Sequence, residues 1–270
     1  MIEKQQVLVN GQKVSCLTKE AEDPIVTIVF IHGFPFSSAI WEPQLLALPG
    51  NVKGVAYDIR GFGDSPATHT YFSIDLFARD LSALLSALHI EKAVLCGVSM
   101  GGYIALRACE AFPEQVAGLV LCDTNAAADS NEGKLKRFAS IDQIMADNVT
   151  AFADQFVGGL FSEKTKQEKS GIVNFIHGLI LNTSPHTLCG TQLALASRTD
   201  SSSSLASIKV PVMLVRGADD RLSTQEQIDF MTTHITGAES HSIPFCGHLP
   251  NLEDAPAFNA LLSAFLAKHF

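Results

Sequence analysis

Leu95-Cys96-Gly97-Val98-Ser99-Met100-Gly101-Gly102-Tyr103 places a G-x-S-x-G between the apolar run Ala93–Cys96 and an Ala- and Leu-rich stretch of helical composition. With Gly at about 7% and Ser at a similar frequency, those three fixed positions arise by chance roughly 0.1 times in a chain of this length. The weight therefore rests on the strand–motif–helix context. Small residues on either side of a serine let the backbone turn sharply from a strand into a helix and lift the hydroxyl above the sheet edge. Ser99 is accordingly predicted to be an exposed nucleophile at a helix N-terminus, and not merely the cap of that helix. A serine hydroxyl is a weak nucleophile until a base takes its proton and a third group orients the base, so partners are expected downstream.

Outward from the motif, the runs Ile25–Ile31, Val52–Tyr57, Leu119–Cys122 and Val210–Val215 are short and apolar but for Thr27 and Lys53. Runs apolar on both faces predict a parallel sheet covered on both sides. Ahead of them, Val7 and Val9 alternate into Asn10-Gly11 and out through Val14 and Cys16, a strong hairpin signal. Ser73 is positioned to cap a crossover helix in which Ile74, Phe77, Leu81, Leu84, Leu85 and Leu88 recur every three or four residues. From about 126 to 204 the alternation stops. Lys134–Asp147, Thr150–Leu160 and Glu163–Leu181 look helical with no strand between them, predicting a helical cap, 126–204, over a core of 1–125 and 205–270. Ser201–Ser204 leads back to the strand Val210–Val215, and helices follow near Gln225–His234 and Ala255–Lys268. The strand Val210–Val215 runs into Arg216-Gly217-Ala218-Asp219-Asp220-Arg221, a loop at the strand end where open α/β sheets place their sites. Ile243-Pro244-Phe245-Cys246-Gly247-His248-Leu249-Pro250 then holds a histidine in a glycine turn. Ser99, then Asp219 or Asp220, then His248 is a serine–acid–histidine chain order.

Taken together, these stretches resemble the α/β-hydrolase superfamily, and most closely its small lidded esterases and 3-oxoadipate enol-lactonase-like enzymes. The resemblance runs from about Ile28 to Phe258. It includes Ile31-His32-Gly33-Phe34-Pro35, Tyr57-Asp58-Ile59-Arg60-Gly61-Phe62-Gly63-Asp64-Ser65, and Gly247-His248 followed by Glu253, Pro256 and Phe258. It implies an α/β-hydrolase fold: a mostly parallel eight-stranded sheet flanked by helices, with a helical cap inserted after the sixth strand. In the family's G-x-x-D turn the acid is the third residue after the glycine, which selects Asp220 and leaves Asp219 as a turn former. The family pattern assigns the oxyanion-binding amides to Phe34 and Met100, makes His32 a loop-fixing residue, and makes Asp58, Arg60, Gly61 and Gly63 an ion-paired turn beneath the site. It implies hydrolysis of a small-molecule carboxylic ester or lactone through an acyl-enzyme, with no cofactor and no metal. Phe34, Phe138 and Leu249 are the expected substrate contacts.

Two other readings share this machinery: a C–C bond hydrolase of ring-cleavage products, and a ligand-binding receptor or regulator that retains the triad. Relatives of the first kind tend to carry Trp after the catalytic histidine, where this chain has Leu249. Haloperoxidase-like relatives commonly carry Trp where this chain has Phe34.

Composition narrows the partners. The 270 residues are 47% hydrophobic and 17% charged, with 19 Lys+Arg against 28 Asp+Glu and a net charge of −9. A mean field of that sign opposes nucleic-acid binding. The apolar runs fall far short of the roughly 20 residues needed to span a bilayer. Glu3, Lys4, Gln5 and Gln6 occupy the place of a signal peptide's apolar stretch, so a cytoplasmic location is expected. The six cysteines lack C-x-x-C spacing and are expected to be buried, reduced thiols. Cys246 and His248 have no companion cluster of metal-ligand spacing. Phe138, Phe152, Phe156, Phe161 and Phe175 recur at helical intervals, and His177, His186 and Cys189 are expected to pack or face solvent. An acidic lactone would require Lys134, Lys136, Arg137 or Arg198 to turn inward from the cap.

Overall fold

Strands apolar on both faces need cover on both sides, and in this chain they lie mid-sheet with helices above and below. The computed structural model describes residues 1–67, 71–146 and 148–270. Its strands are β1 (Glu3–Val9), β2 (Gln12–Lys19), β3 (Val26–Ile31), β4 (Val52–Tyr57), β5 (Ala93–Val98), β6 (Val116–Cys122), β7 (Val212–Gly217) and β8 (Glu239–Ile243). They form one eight-stranded sheet in the order β1-β2-β4-β3-β5-β6-β7-β8. Strand β2 is antiparallel to both neighbours, and every pairing from β4 through β8 is parallel. All residues of β5 and β7 are buried. At the Asn10-Gly11 turn both residues have positive φ, 50° and 77°, matching the twist of a two-residue hairpin.

The helices are α1 (Glu42–Ala47), α2 (Ile74–Ala87), α3 (Met100–Ala111), α4 (Asn131–Met145), α5 (Val149–Leu160), α6 (Glu163–Glu168), α7 (Ser170–Leu181), α8 (Pro185–Ala196), α9 (Gln225–His234), α10 (Pro250–Glu253) and α11 (Ala255–His269). Ser73 caps α2 by accepting from the Leu76 amide at 3.0 Å, and the predicted apolar face of that helix is buried. Trp41 packs between Phe30 and Phe258, with ring centroids 5.1 and 6.0 Å away, and so ties α11 to the sheet.

Helices α4 to α8 lie between β6 and β7, where the insertion was expected. The single helix predicted over Glu163–Leu181 is two: α6 ends at Glu168, Lys169 leaves helical geometry at φ −129°, ψ 48°, and α7 starts at Ser170. Helix α8 carries Thr187, Gly190 and Thr191 in place of a clean apolar period, which hides it in the sequence. Its Ser184 cap and Pro185 at the first turn define its start. Asp147, the end of the predicted stretch Lys134–Asp147, lies outside the described residues, and α4 stops at Met145.

Five of the six cysteines are buried and none is disulfide-bonded. Burial pushes the Cys16 and Cys246 thiols up to about 12 and Cys109 to about 11, so these are unreactive at neutral pH. Among the described residues no helix is long and apolar enough to cross a membrane.

Candidate active site

Ser99 sits between β5 and α3 with φ 53° and ψ −116°, and its hydroxyl makes no capping bond to α3. Such a conformation costs a non-glycine residue about 1–3 kcal/mol and persists only where the surroundings impose it. Here the Ser99 amide donates to the Cys122 carbonyl at 2.9 Å, and the Ser99 carbonyl accepts from Thr124 Oγ1 at 2.8 Å and from the Gly102 amide at 2.9 Å. A Cβ on Gly101 would overlap the Ile31 carbonyl, and one on Gly97 would overlap the Gly101 carbonyl. Only glycine at these two positions lets α3 approach β3 and β5 closely enough to form the turn.

After β7, Asp220 is buried and Asp219 is exposed. Asp220 Oδ2 lies 2.9 Å from His248 Nδ1 and also accepts from the Ser223 hydroxyl and, at 3.1 Å, the Ser223 amide. Its Oδ1 accepts from the Leu222 amide at 2.8 Å. Burial works to raise the Asp220 pKa, but the charge of His248 and hydrogen bonds from His248, Ser223 and Asp123 hold it well below the usual carboxylate range. Arg216 straps the loop by donating to the carbonyls of Ala218, Asp220 and Ser223 at 3.0, 2.8 and 3.2 Å.

His248 is anchored from the insertion: its amide donates to the Leu160 carbonyl at 2.8 Å. Glu253 bridges the same two parts, accepting from the Leu249 amide at 3.2 Å and the Ser162 amide at 3.0 Å. Asp123, at the end of β6, completes a buried trio with Asp220 and His248 whose side-chain ligand atoms lie within 4.8 Å of one another. Groups this close can share a cation, but both Asp220 oxygens already accept N–H or O–H donors. Burial first, then the charge of Asp220, raises the Asp123 carboxyl well above its ordinary value.

Opposite the Ser99 turn, His32 is buried, its Nδ1 2.8 Å from the Gly33 carbonyl while Nε2 accepts from the Ile59 amide at 3.0 Å. This pairing uses both ring nitrogens of a neutral imidazole, and burial lowers its pKa to about 4. His32 thereby fixes the loop carrying Phe34. The Phe34 amide is engaged by no backbone acceptor among the described residues. Met100 opens α3, so its N–H is one the helix itself cannot satisfy. Beneath this loop Asp58 accepts from the amides of Ser38 at 2.7 Å and Asp64 at 2.9 Å. Arg60 pairs bidentately with Asp80 of α2, at 2.8 Å for each bond.

Ser99 and His248 line one cavity of about 190 Å³, walled by Phe34, Tyr103, Arg137 and Phe156 among others. Phe156 and Phe152 of α5 pack on Phe34, with centroids at 6.0 and 6.3 Å. Two expected substrate contacts are not on the wall. Phe138 is 42% exposed on α4, and Leu249 is buried away from the cavity wall. One residue of helical rotation explains the first, since Arg137 faces the cavity and Phe138 therefore turns away. Of the four basic residues named above, Arg137 reaches the cavity. It ion-pairs with Asp129, which also binds the buried Arg198, and Arg198 lies 4.3 Å over the Tyr103 ring. His177 pairs with Asp154 at 2.8 Å and His186 packs on Phe72 at 5.8 Å. A wider depression of about 550 Å³ between α3 and the Ser202–Ser207 turn contains none of Ser99, Asp220 or His248.

Comparison with known proteins places the fold in a family and identifies relatives. A family model described as alpha/beta hydrolase fold matches residues 26–255. The chain is 26% identical over 269 residues to 3-oxoadipate enol-lactonase 1 of Acinetobacter baylyi, covering 98% of each protein. It is 30% identical over 208 residues to a non-heme chloroperoxidase of Streptomyces lividans, covering 72% of this chain and 74% of that one. Among solved structures, a thermophilic esterase from Thermogutta terrifontis superposes with a TM-score of 0.91 at 27% identity, over 99% of this chain and 100% of that one.

Proposed function

The chain belongs to the alpha/beta hydrolase fold family, and from that membership we propose that it is a serine hydrolase cleaving a compact carboxylic ester or lactone. The observation that carries this reading is the strained turn that projects Ser99 into the same cavity as His248, whose far nitrogen is held by Asp220. Esterase and enol-lactonase relatives support the substrate class.

Ser99 Oγ attacks the substrate carbonyl carbon while His248 Nε2 takes the hydroxyl proton. Asp220 holds Nδ1–H and stabilises the imidazolium that forms. The developing oxyanion accepts from the amides of Phe34 and Met100, each such donor contributing about 2.7–4 kcal/mol. As the tetrahedral intermediate collapses, the C–O bond to the leaving oxygen breaks and His248 returns the proton to it. Water then attacks the acyl-Ser99 ester with His248 again as base, releasing the carboxylic acid and restoring the serine.

The insertion 126–204 acts as a cap that sets substrate size. Its wall residues Phe156 and Leu195 join Phe34 in an apolar acyl site, and Arg137 adds one polar anchor. At about 190 Å³ the space is below the roughly 300–1,000 Å³ of drug-sized ligand pockets, which favours short acyl groups.

The test is labelling by a fluorophosphonate probe together with turnover of p-nitrophenyl esters graded by acyl length. Turnover is expected to fall beyond short chains, and both label and turnover are expected to vanish in Ser99→Ala. Either one persisting at wild-type level in that variant would refute the mechanism.

A further inference from the structure

Three ionisable groups meet at the cavity, where Asp123 and His248 are part of the wall, and the proposed mechanism uses two of them. The third, Asp123, is held in a costly backbone conformation for an aspartate, with φ 42°. Its amide donates to the Val215 carbonyl and its Oδ1 accepts from the Gly217 amide, both at 2.9 Å. Its Oδ2 is buried and has no N–H or O–H donor among the described residues. A buried carboxylate oxygen without a donor is expensive, and two carboxylates this close cannot both stay ionised in a buried site.

The hydrogen-bond inventory decides which of the two carries the shared proton. Asp220 accepts from Leu222 and Ser223 amides, the Ser223 hydroxyl and His248 Nδ1, four donors that suit an anion. Asp123 accepts from one, so the proton resides on it and satisfies its orphan oxygen. We propose that Asp123 is a positioning residue: a neutral carboxylic acid whose Oδ2–H donates to Asp220 and holds that carboxylate against the His248 ring. This role rests on the reading of Ser99, His248 and Asp220 as the catalytic set. The direction in which burial and Asp220 move the Asp123 carboxyl agrees with it. No proton leaves Asp123 during turnover. It acts by spreading the charge of Asp220, which moderates how strongly the imidazole holds its proton.

The charged and titratable groups facing this pair are few. Cys122 precedes Asp123 on β6, and Cys246 and His248 come from the loop after β8. Tyr103 of α3 and Arg137 of α4 lie across the cavity, and Arg216 grips the carbonyls of the Asp220 loop.

The pH dependence of kcat/KM separates the alternatives, because its acid limb reads protonation of the base. Asp123→Ala removes the donor from Asp220. Its acid limb is expected to move to higher pH and its kcat to fall roughly tenfold, as for loss of one hydrogen bond to a charged group. Asp123→Asn supplies an N–H donor instead and is expected to return the limb to its wild-type position. If Asp123 were ionised, Asp123→Asn would remove a negative charge beside His248 and shift the limb down by more than one pH unit, overturning the proposal. Difference infrared spectroscopy of wild type against Asp123→Asn gives a readout independent of activity. A protonated-carboxyl C=O band at neutral pH, lost in the variant, is expected, and its absence from the wild type overturns the proposal. Turnover by Ser99→Ala would instead overturn the catalytic reading while leaving the infrared result standing.

Discussion

The strain at Ser99 can be measured apart from its chemistry by comparing Ser99→Ala with Ser99→Gly. Both lack the hydroxyl, and they differ in whether a Cβ must be held at φ 53°, ψ −116°. The alanine retains the full backbone cost of about 1–3 kcal/mol, while glycine at this φ is nearly free of it. Against that gain, glycine adds freedom to the unfolded chain, worth about 0.4–1 kcal/mol. The bonds that pin the turn all involve backbone groups of residue 99 and persist in both variants. Ser99→Gly should therefore exceed Ser99→Ala in stability by about 1 kcal/mol, or about 2–4 °C in Tm for a chain approaching this size. Urea and thermal unfolding of the two purified proteins, both without the hydroxyl, provide the assay. A glycine variant less stable by about 0.4–1 kcal/mol, the unfolded-chain effect alone, would show that the turn stores no strain and that the hydroxyl is not presented by force.

Two further outcomes follow from the same geometry. Gly101→Ala drives a Cβ into the Ile31 carbonyl, a backbone atom that cannot rotate away, so α3 must shift. A loss of about 1–3 kcal/mol is expected, with kcat down about 10²-fold from misplacement of Ser99 and the Met100 amide; unchanged kinetics would show that α3 tolerates displacement. His32 is neutral in the fold at about 4 against an ordinary 6.5, chiefly through burial, so the unfolded chain binds its proton first. Its contribution is complete above pH 6.5 and is lost as pH falls toward 4, up to about 3 kcal/mol in all. Urea unfolding at pH 7 and pH 5 should show a steeper loss for wild type than for His32→Asn, and parallel losses would exclude His32 as the source.

The architecture was legible where burial left a mostly apolar run, as in Val52–Tyr57, which is β4 residue for residue and carries one half-buried Lys53. The hairpin at Asn10-Gly11 and the helix behind Ser73 were equally readable, because local turn and cap chemistry fixes them. Legibility failed where tertiary contact replaces period. Strand β8, Glu-Ser-His-Ser-Ile, lies at the sheet edge with only Ile243 buried, so it offers no apolar run. Helix α8 accepts Gly190 because the Phe72 ring occupies the space a Cβ would need, a constraint set by a residue more than a hundred positions away.

In the site the divide runs between backbone-defined and surface-defined groups. Ser99 and His248 are announced by their glycine turns, but chain order alone leaves Asp219 and Asp220 equivalent; the family's G-x-x-D turn selects the second, and the fold buries only that one. Asp123 carries no motif at all, since its importance comes from β6 ending beside β7, a neighbour relation that chain order conceals. The cap is harder still: Arg137 and Phe138 are adjacent, yet one faces Ser99 and the other faces solvent. The same cap supplies the Leu160 carbonyl that holds the His248 amide and the Ser162 amide that binds Glu253. A cap that bonds the loop of His248 cannot be exchanged as a free module, so changes that open the cavity must leave the 160–162 segment in place.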